Sequence, residues 1–207
     1  MKSGEFDDLI QFSAEEELIT KRRAIQLFDS GTLFRLEIGS FKGLSEIHRY
    51  IFGDIFDFAG QMRTVDLAKG DFRFPPAIYL RQTLNQIDRM PQKSFDQIIE
   101  KYVEMNVAHP FREGNGRSMR IWLDAMLARE IGSVVEWSRI ERDQYLETME
   151  ISPIEDRPLK YLIQQALNHN IYHRDIYMNG IDRSYQYEGY CSYSTEDIRT
   201  LCIQPEL

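Results

Sequence analysis

The sequence predicts an all-α fold carrying one small β-hairpin, and three observations lead to that prediction. First, apolar residues recur at helical spacing over most of the chain. The clearest run is Phe95, Ile98, Ile99, Tyr102 and Val103, at i, i+3, i+4, i+7 and i+8, and Met119, Trp122, Leu123, Met126 and Leu127 repeat it. Second, the pattern turns β-tolerant between Arg63 and Phe74, where Gly70-Asp71 separates Thr64-Val65 from Phe72-Arg73-Phe74 and Pro75-Pro76 ends the run. Third, 207 residues of which 43% are hydrophobic suffice for one compact core.

Taken in order, Ser13 and Glu16 make a capping-box pattern ahead of a first helix that stops near Ser30-Gly31. A second helix spans about Leu44 to Phe52. The hairpin follows, and helical spacing returns from Ala77 to Met90. The helix of the strongest stripe must end at His109, because the residue before a proline is pushed out of the α region. A glycine-rich loop leads into the helix of the second stripe, which closes near Gly132. Further helices are expected over Arg139–Glu150 and Arg157–Asn168, with Pro153 and Pro158 as breaks. A short helical segment is expected at Ser184–Glu188, and Ser194 and Asp197 can cap one more turn.

Composition removes several function classes. A formal charge of −8 disfavours non-specific binding to nucleic acid or an anionic membrane, since both need clustered positive charge. No apolar run is long enough to span a bilayer, and the acidic first residues lack a signal-peptide core, so a cytoplasmic protein is expected. The cysteines, Cys191 and Cys202, form no CxxC pair and fit bystander thiols in a reducing compartment. His169 and His173 are four apart but lack an accompanying carboxylate motif, and His48 reads as structural.

The loop between the two striped helices concentrates the chemistry: His109-Pro110-Phe111-Arg112-Glu113-Gly114-Asn115-Gly116-Arg117, then Ser118-Met119-Arg120. An imidazole released at a helix end can accept a proton from a hydroxyl. Glu113 offers the one carboxylate that a magnesium ion needs when water and phosphate complete its shell. Gly114 and Gly116 let backbone N–H groups approach an anion, at a helix N-terminus that itself favours phosphate. Arg117 and Arg120 are three apart, on one face beside that end, and guanidinium forks match phosphate oxygens. The set suits phosphoryl or nucleotidyl transfer, which depends on positioning and charge neutralisation.

His109 to Arg120 resembles the signature of the Fic family, HxFx(D/E)GN(G/K)RxxR, with every constrained position filled. Gly43-Leu44 with His48, and the run Phe58-Ala59-Gly60-Gln61-Met62-Arg63, look like that family's N-terminal core. The resemblance implies a helical bundle with a hairpin flap. It implies His109 as general base, Glu113 as magnesium ligand, Asn115 as a phosphate contact, and Gly114 and Gly116 as an anion hole for the β-phosphate. Arg117 would pair with phosphate and Arg120 would reach the γ-phosphate. Lys69, Gly70, Asp71, Phe72, Arg73 and Phe74 would form the flap that registers a target chain by strand-like pairing. The Gly-Asn-Gly wording, in contrast to the Ala-Asn-Lys of kinase-type relatives, implies transfer of AMP from ATP to a protein Tyr, Ser or Thr hydroxyl.

Ser184-Tyr185-Gln186-Tyr187-Glu188-Gly189 is similar to the family's inhibitory motif, (S/T)xxxE(G/N). A glutamate set against Arg120 would occupy the γ-phosphate position. The implied organisation is a Fic domain over 1–190, with an inhibitory helix near 182–190, and a C-terminal tail over 191–207. Related single-domain members imply automodification, here at Tyr185, self-association, and a type II topoisomerase subunit as a target. The same pocket also admits metal-dependent de-AMPylation or kinase activity, and a catalytically silent binding module is the reading from another class.

Overall fold

The computed structural model describes residues 3–69 and 72–203, which form a helical bundle with two minimal antiparallel strand pairs, one of them a hairpin. Helix α1 runs Ser3–Asp29, so the predicted start at Ser13 is wrong by ten residues. Glu16 caps nothing. It is buried, and its carboxylate accepts hydrogen bonds from Arg117 and Tyr190, so a spacing that imitates a capping box serves a tertiary contact. Gly31, at φ +67°, closes the helix where the sequence placed its end. Helix α2 (Phe41–Phe52) starts one turn before Leu44 because the Ser40 hydroxyl accepts from the Gly43 N–H at 3.1 Å.

Strands β1 (Ala68–Lys69) and β2 (Phe72–Arg73) form a hairpin around the expected turn, with the first strand at Ala68–Lys69 and not at Thr64-Val65; Ala68 lies opposite Arg73 and Lys69 opposite Phe72. Its expected tip, Gly70 and Asp71, lies outside the described residues. Helix α3 (Ala77–Asp88) is tied back to the hairpin's root: Asp66 accepts from the Ala77 N–H at 2.7 Å. Helices α4 (Phe95–Ala108) and α5 (Asn115–Ile131) are the striped pair, and they pack on each other with Ile98, Ile99, Tyr102, Met119, Trp122, Leu123 and Met126 fully buried.

The second half departs more from the sequence prediction. A 3₁₀ turn at Trp137–Arg139 buries Trp137, and α6 begins only at Arg142 (Arg142–Ile151). Helix α7 covers Arg157–Gln165 and carries Pro158 in its first turn, where a missing N–H removes no helical bond, so this proline opens a helix instead of breaking one. Residues Leu167–Asn168 leave the helix to form β4, antiparallel to β3 (Val134–Val135). Two-residue strands carry no periodicity, so nothing in the sequence announced them.

Helix α8 (Arg174–Gln186) contains Ser184 and Tyr185 in its last turn, and Glu188 follows in a turn that Gly189 finishes at φ +89°. The expected short helix at Ser184–Glu188 is thus the end of a longer one. Helix α9 (Thr195–Ile203) begins at a reciprocal cap as predicted: the Ser194 N–H donates to Asp197, and the Asp197 N–H to the Ser194 hydroxyl. Ile198 packs with Ile25 of α1 and Met178 of α8. Beside that contact Lys21 is buried between Glu17 at 2.9 Å and Asp182 at 3.0 Å, and Asp182 also accepts from Thr195. The first helix therefore clasps the last two. No helix among the described residues is long and apolar enough to cross a membrane.

One buried imidazole ties α2 to the loop between α4 and α5. His48 accepts the Gly60 N–H on Nδ1 at 2.9 Å, which assigns the proton to Nε2 for donation to the Glu113 carbonyl at 2.8 Å. Burial pushes its pKa down to about 4. The folded value lies below the ordinary one near 6.5, so the unfolded chain takes up the proton first. Stability present above that ordinary value is therefore lost as pH falls through the window toward about 4. Thermal melts across this window are expected to show a steeper loss for the wild type than for His48→Gln, and parallel curves would contradict the assignment. Replacing Ile198 by Ala is expected to lower stability by about 2–3 kcal/mol, read from the urea midpoint, because it opens the junction of α1, α8 and α9.

Candidate active site

The site is built where α4 ends. His109 takes φ 47° and ψ 64°, the one positive φ at a non-glycine among the described residues. A left-handed histidine is uncommon and must be held by its surroundings. Its N–H completes α4 by donating to Met105 O at 3.1 Å, and its carbonyl accepts from Arg63 Nε at 2.7 Å. The imidazole stacks on Phe74, just past β2, with ring centroids 3.9 Å apart. Phe111 is fully buried against His48 and anchors the next step of the loop.

Asn115 closes the loop. Its Oδ1 accepts the Phe111 N–H at 2.9 Å and its Nδ2 donates to the Phe111 carbonyl at 2.8 Å. Both ends of the amide thus bind backbone, so the side chain clamps the loop. Gly114, at φ +76°, leaves no room for a side chain, since a Cβ would sit 2.6 Å from the Phe52 ring. Glu113 is 54% exposed and accepts from the Gly114 N–H and from Arg117.

Past the loop, α5 presents two buried guanidinium groups. Arg117 is 1% exposed and Arg120 is 4% exposed. Both meet Glu188. Arg120 donates to Glu188 Oε1 at 2.8 Å and to the Ser184 hydroxyl at 2.7 Å. Arg117 Nε lies 2.9 Å from Glu188 Oε2, an ion-pair contact without hydrogen-bond alignment, while its Nη1 donates to Glu16 at 2.9 Å. Gly116 makes room for this carboxylate, because a Cβ there would lie 2.4 Å from Glu188 Oε1. Burial is the largest single influence and works against the charge on both arginines, but Glu188 together with the neighbouring tyrosines, and with Glu16 at Arg117, outweighs it, so both pKa values lie above the ordinary guanidinium range. Phe52, Tyr185 and Tyr190 surround the Arg117 guanidinium with ring faces.

Most sequence-predicted residues therefore converge. His109, Glu113, Gly114, Asn115, Gly116, Arg117 and Arg120 share one loop and helix end, and Ser184 of α8 and Glu188 of the turn after it close on that end. Phe74 brings the hairpin to His109, whereas the expected flap residues Gly70 and Asp71 lie outside the described residues. Tyr185 is buried in this conformation: its hydroxyl lies beside Thr20 and Arg117, and burial pushes its pKa up. Three contributors to the site escaped the sequence: Glu16, whose spacing from Ser13 was read as a helix cap; Tyr190, which donates to Glu16 at 3.0 Å; and Arg63. His169, paired with Ser133, and His173 join no metal site, and no group of three or more His, Cys, Asp or Glu that could cage a metal exists among the described residues.

Comparison with known proteins agrees with this geometry. The sequence model of the Fic/DOC family matches residues 40–127. The protein adenylyltransferase VbhT of Bartonella schoenbuchensis is 37% identical over 114 residues, covering 49% of this chain and 23% of VbhT. The probable protein adenylyltransferase Fic of Salmonella typhimurium is 31% identical over 137 residues, covering 60% of this chain and 68% of that protein. This chain thus aligns with less than a quarter of VbhT and about two thirds of the Salmonella protein. Among solved structures, the FIC domain of Bep8 from Bartonella sp. 1-1C has a TM-score of 0.63 at 15% identity, covering 83% of this chain and 88% of that one. BepC of Bartonella tribocorum, solved with bound AMPPNP, has a TM-score of 0.59 at 18% identity, covering 78% and 87%. On its sequence and on its shared fold, the chain belongs to the Fic/DOC family.

Proposed function

We propose that this chain is a protein adenylyltransferase, transferring AMP from ATP to a hydroxyl of a target protein, and that its own Glu188 holds it off. The observation that carries this reading is the Glu188 carboxylate, bound by Arg117 and Arg120 against Gly116. Two buried arginines at a helix N-terminus form an anion site, and the chain fills it with an anion of its own. The relatives VbhT and Salmonella Fic bear the adenylyltransferase name, and BepC was solved with a nucleotide analogue, which supports ATP as the natural anion.

In this reading the His109 imidazole takes the proton of the acceptor hydroxyl. The hydroxyl oxygen attacks the α-phosphorus, the bond from that phosphorus to the bridging oxygen breaks, and diphosphate leaves. Its charge develops beside the α5 N-terminus, Arg117 and Arg120, which are already oriented and largely shielded from water. The residues fit magnesium as an ion that brings its own water and phosphate ligands: Glu113 offers one accessible carboxylate at the loop. Magnesium there would neutralise phosphate charge. The hairpin would hold the target segment in extended form beside His109.

Removing Glu188 leaves the anion site to the nucleotide. Glu188→Gly is expected to raise retention of label from α-labelled ATP on protein at least tenfold over wild type, and adding His109→Ala is expected to abolish it. Label retained from the γ-position alone would replace this reading with phosphorylation. A Glu188→Gly protein no more active than wild type would end the switch. The same variant is expected to melt at a lower temperature, because two buried guanidinium groups lose a shared partner, and to regain part of the loss with AMPPNP and magnesium.

A further inference from the structure

Arg63 follows the hairpin-side run Phe58–Gln61 and lies 46 residues from His109 in sequence, yet it bonds directly to the backbone there. It is 1% exposed. Its four side-chain hydrogen bonds among the described residues all go to backbone carbonyls. Nε donates to His109 O at 2.7 Å, and Nη2 to Ala108 O at 3.2 Å, so two bonds hold the end of α4. Nη1 donates to Val65 O at 2.8 Å and Nη2 also to Pro75 O at 2.7 Å, so the other two hold the chain just before β1 and just after β2. The Arg63 main chain adds a fifth link, its N–H donating to Pro110 O at 2.8 Å.

The chemistry of the side chain explains why this position needs arginine. A guanidinium is a rigid planar fork of five N–H donors, able to fix several acceptors in one plane. A lysine ammonium has fewer donors on a flexible stem and cannot span both roots of the hairpin and the helix end together. The bonds leave little freedom between the hairpin and His109, and the Phe74–His109 ring stack is the visible result. The same bonds hold His109 in its left-handed conformation. None of them reaches Glu113, Gly116, Arg117 or Arg120.

We propose that Arg63 is a positioning residue that fixes the hairpin at a set distance from the His109 imidazole, so that a target segment paired with the hairpin delivers its hydroxyl to that base. This rests on the adenylyltransferase reading for its functional consequence, although the mechanical coupling does not. Arg63 itself touches neither nucleotide nor acceptor.

The test uses the full chain with Glu188→Gly as the parent and adds Arg63→Lys or Arg63→Gln. AMPPNP affinity, measured by calorimetry with magnesium, is expected to stay within about twofold of the parent. Transfer of label from α-labelled ATP to protein is expected to fall at least thirtyfold. Exchange of the Phe74 amide, which donates to Leu67 O, is expected to quicken at least tenfold while the Arg117 and Arg120 amides stay unchanged. A residue serving stability alone would instead lower nucleotide binding and transfer in parallel. Transfer at the parent rate, or unchanged Phe74 exchange, overturns the proposal, and so does failure of both variants to fold. A parent that transfers no label defeats the adenylyltransferase reading, whereas the exchange comparison still decides whether Arg63 couples the two segments.

Discussion

Two arginines buried at the N-terminus of α5 need an anion, and much of the structure is arranged around that need. Arg117 and Arg120 lie on one helix face, one turn apart, at a helix end that already carries partial positive charge. Burying a charge without a partner costs several kcal/mol, so these groups have to be answered. Glu188 answers both. Glu16 and Glu113 answer Arg117 again from α1 and from the loop, and aromatic faces cover what remains of its guanidinium. The partners are not equivalent. Glu16 is buried on a long helix, whereas Glu188 is 25% exposed in a turn after α8. An incoming anion can displace Glu188 while Glu16 continues to hold Arg117 in place.

The turn that carries Glu188 is itself held on both sides. The Tyr187 hydroxyl donates to Ile140 O at 2.8 Å, and its carbonyl accepts from Arg142 at 3.0 Å. Tyr190 donates to Glu16, and beyond it the Ser192 N–H donates to Glu17 at 2.8 Å. These bonds grip the backbone around Glu188 and the rings beside it, but they do not involve the carboxylate. The Glu188 carboxylate can therefore lose its partners without α8 leaving its bed between α1 and α5. Tyr185 illustrates the consequence: its ring remains part of the Arg117 cage, and its hydroxyl stays shut in with the helix.

Legibility in the sequence followed the range of each interaction. The helices α4 and α5 were readable because each buries a stripe of nine residues' span, and a stripe is a local pattern. The loop from His109 to Arg120 was readable because its roles are fixed by residue type at fixed spacing, so His109, Glu113 and the arginines converge as the motif implies. The long-range partners were not readable. Glu16 is 101 positions from Arg117, and its spacing from Ser13 suggested a helix start that does not exist. The pairing of Val134–Val135 with Leu167–Asn168 joins segments separated by two helices. Asn115 shows a subtler gap: the motif fixes the residue, but only the geometry reveals that its amide binds the Phe111 backbone.

The backbone at His109 connects these themes. A left-handed histidine immediately before a proline is a conformation that local preference disfavours, so tertiary bonds must impose it. They do so from both sides of the residue. Arg63 fastens the carbonyls of Ala108 and His109 to the two roots of the hairpin, and Asn115 fastens Phe111 to the start of α5. His48 then holds the Glu113 carbonyl from α2. The imidazole is thus aimed by backbone bonds to three separate elements, with the hairpin on one side and the anion site on the other. Neither neighbour can shift far without breaking a bond that fixes the ring. Cross-bracing of that kind holds the hairpin and the anion site at set distances from one imidazole, and Arg63 is where the hairpin half of it meets the helix half.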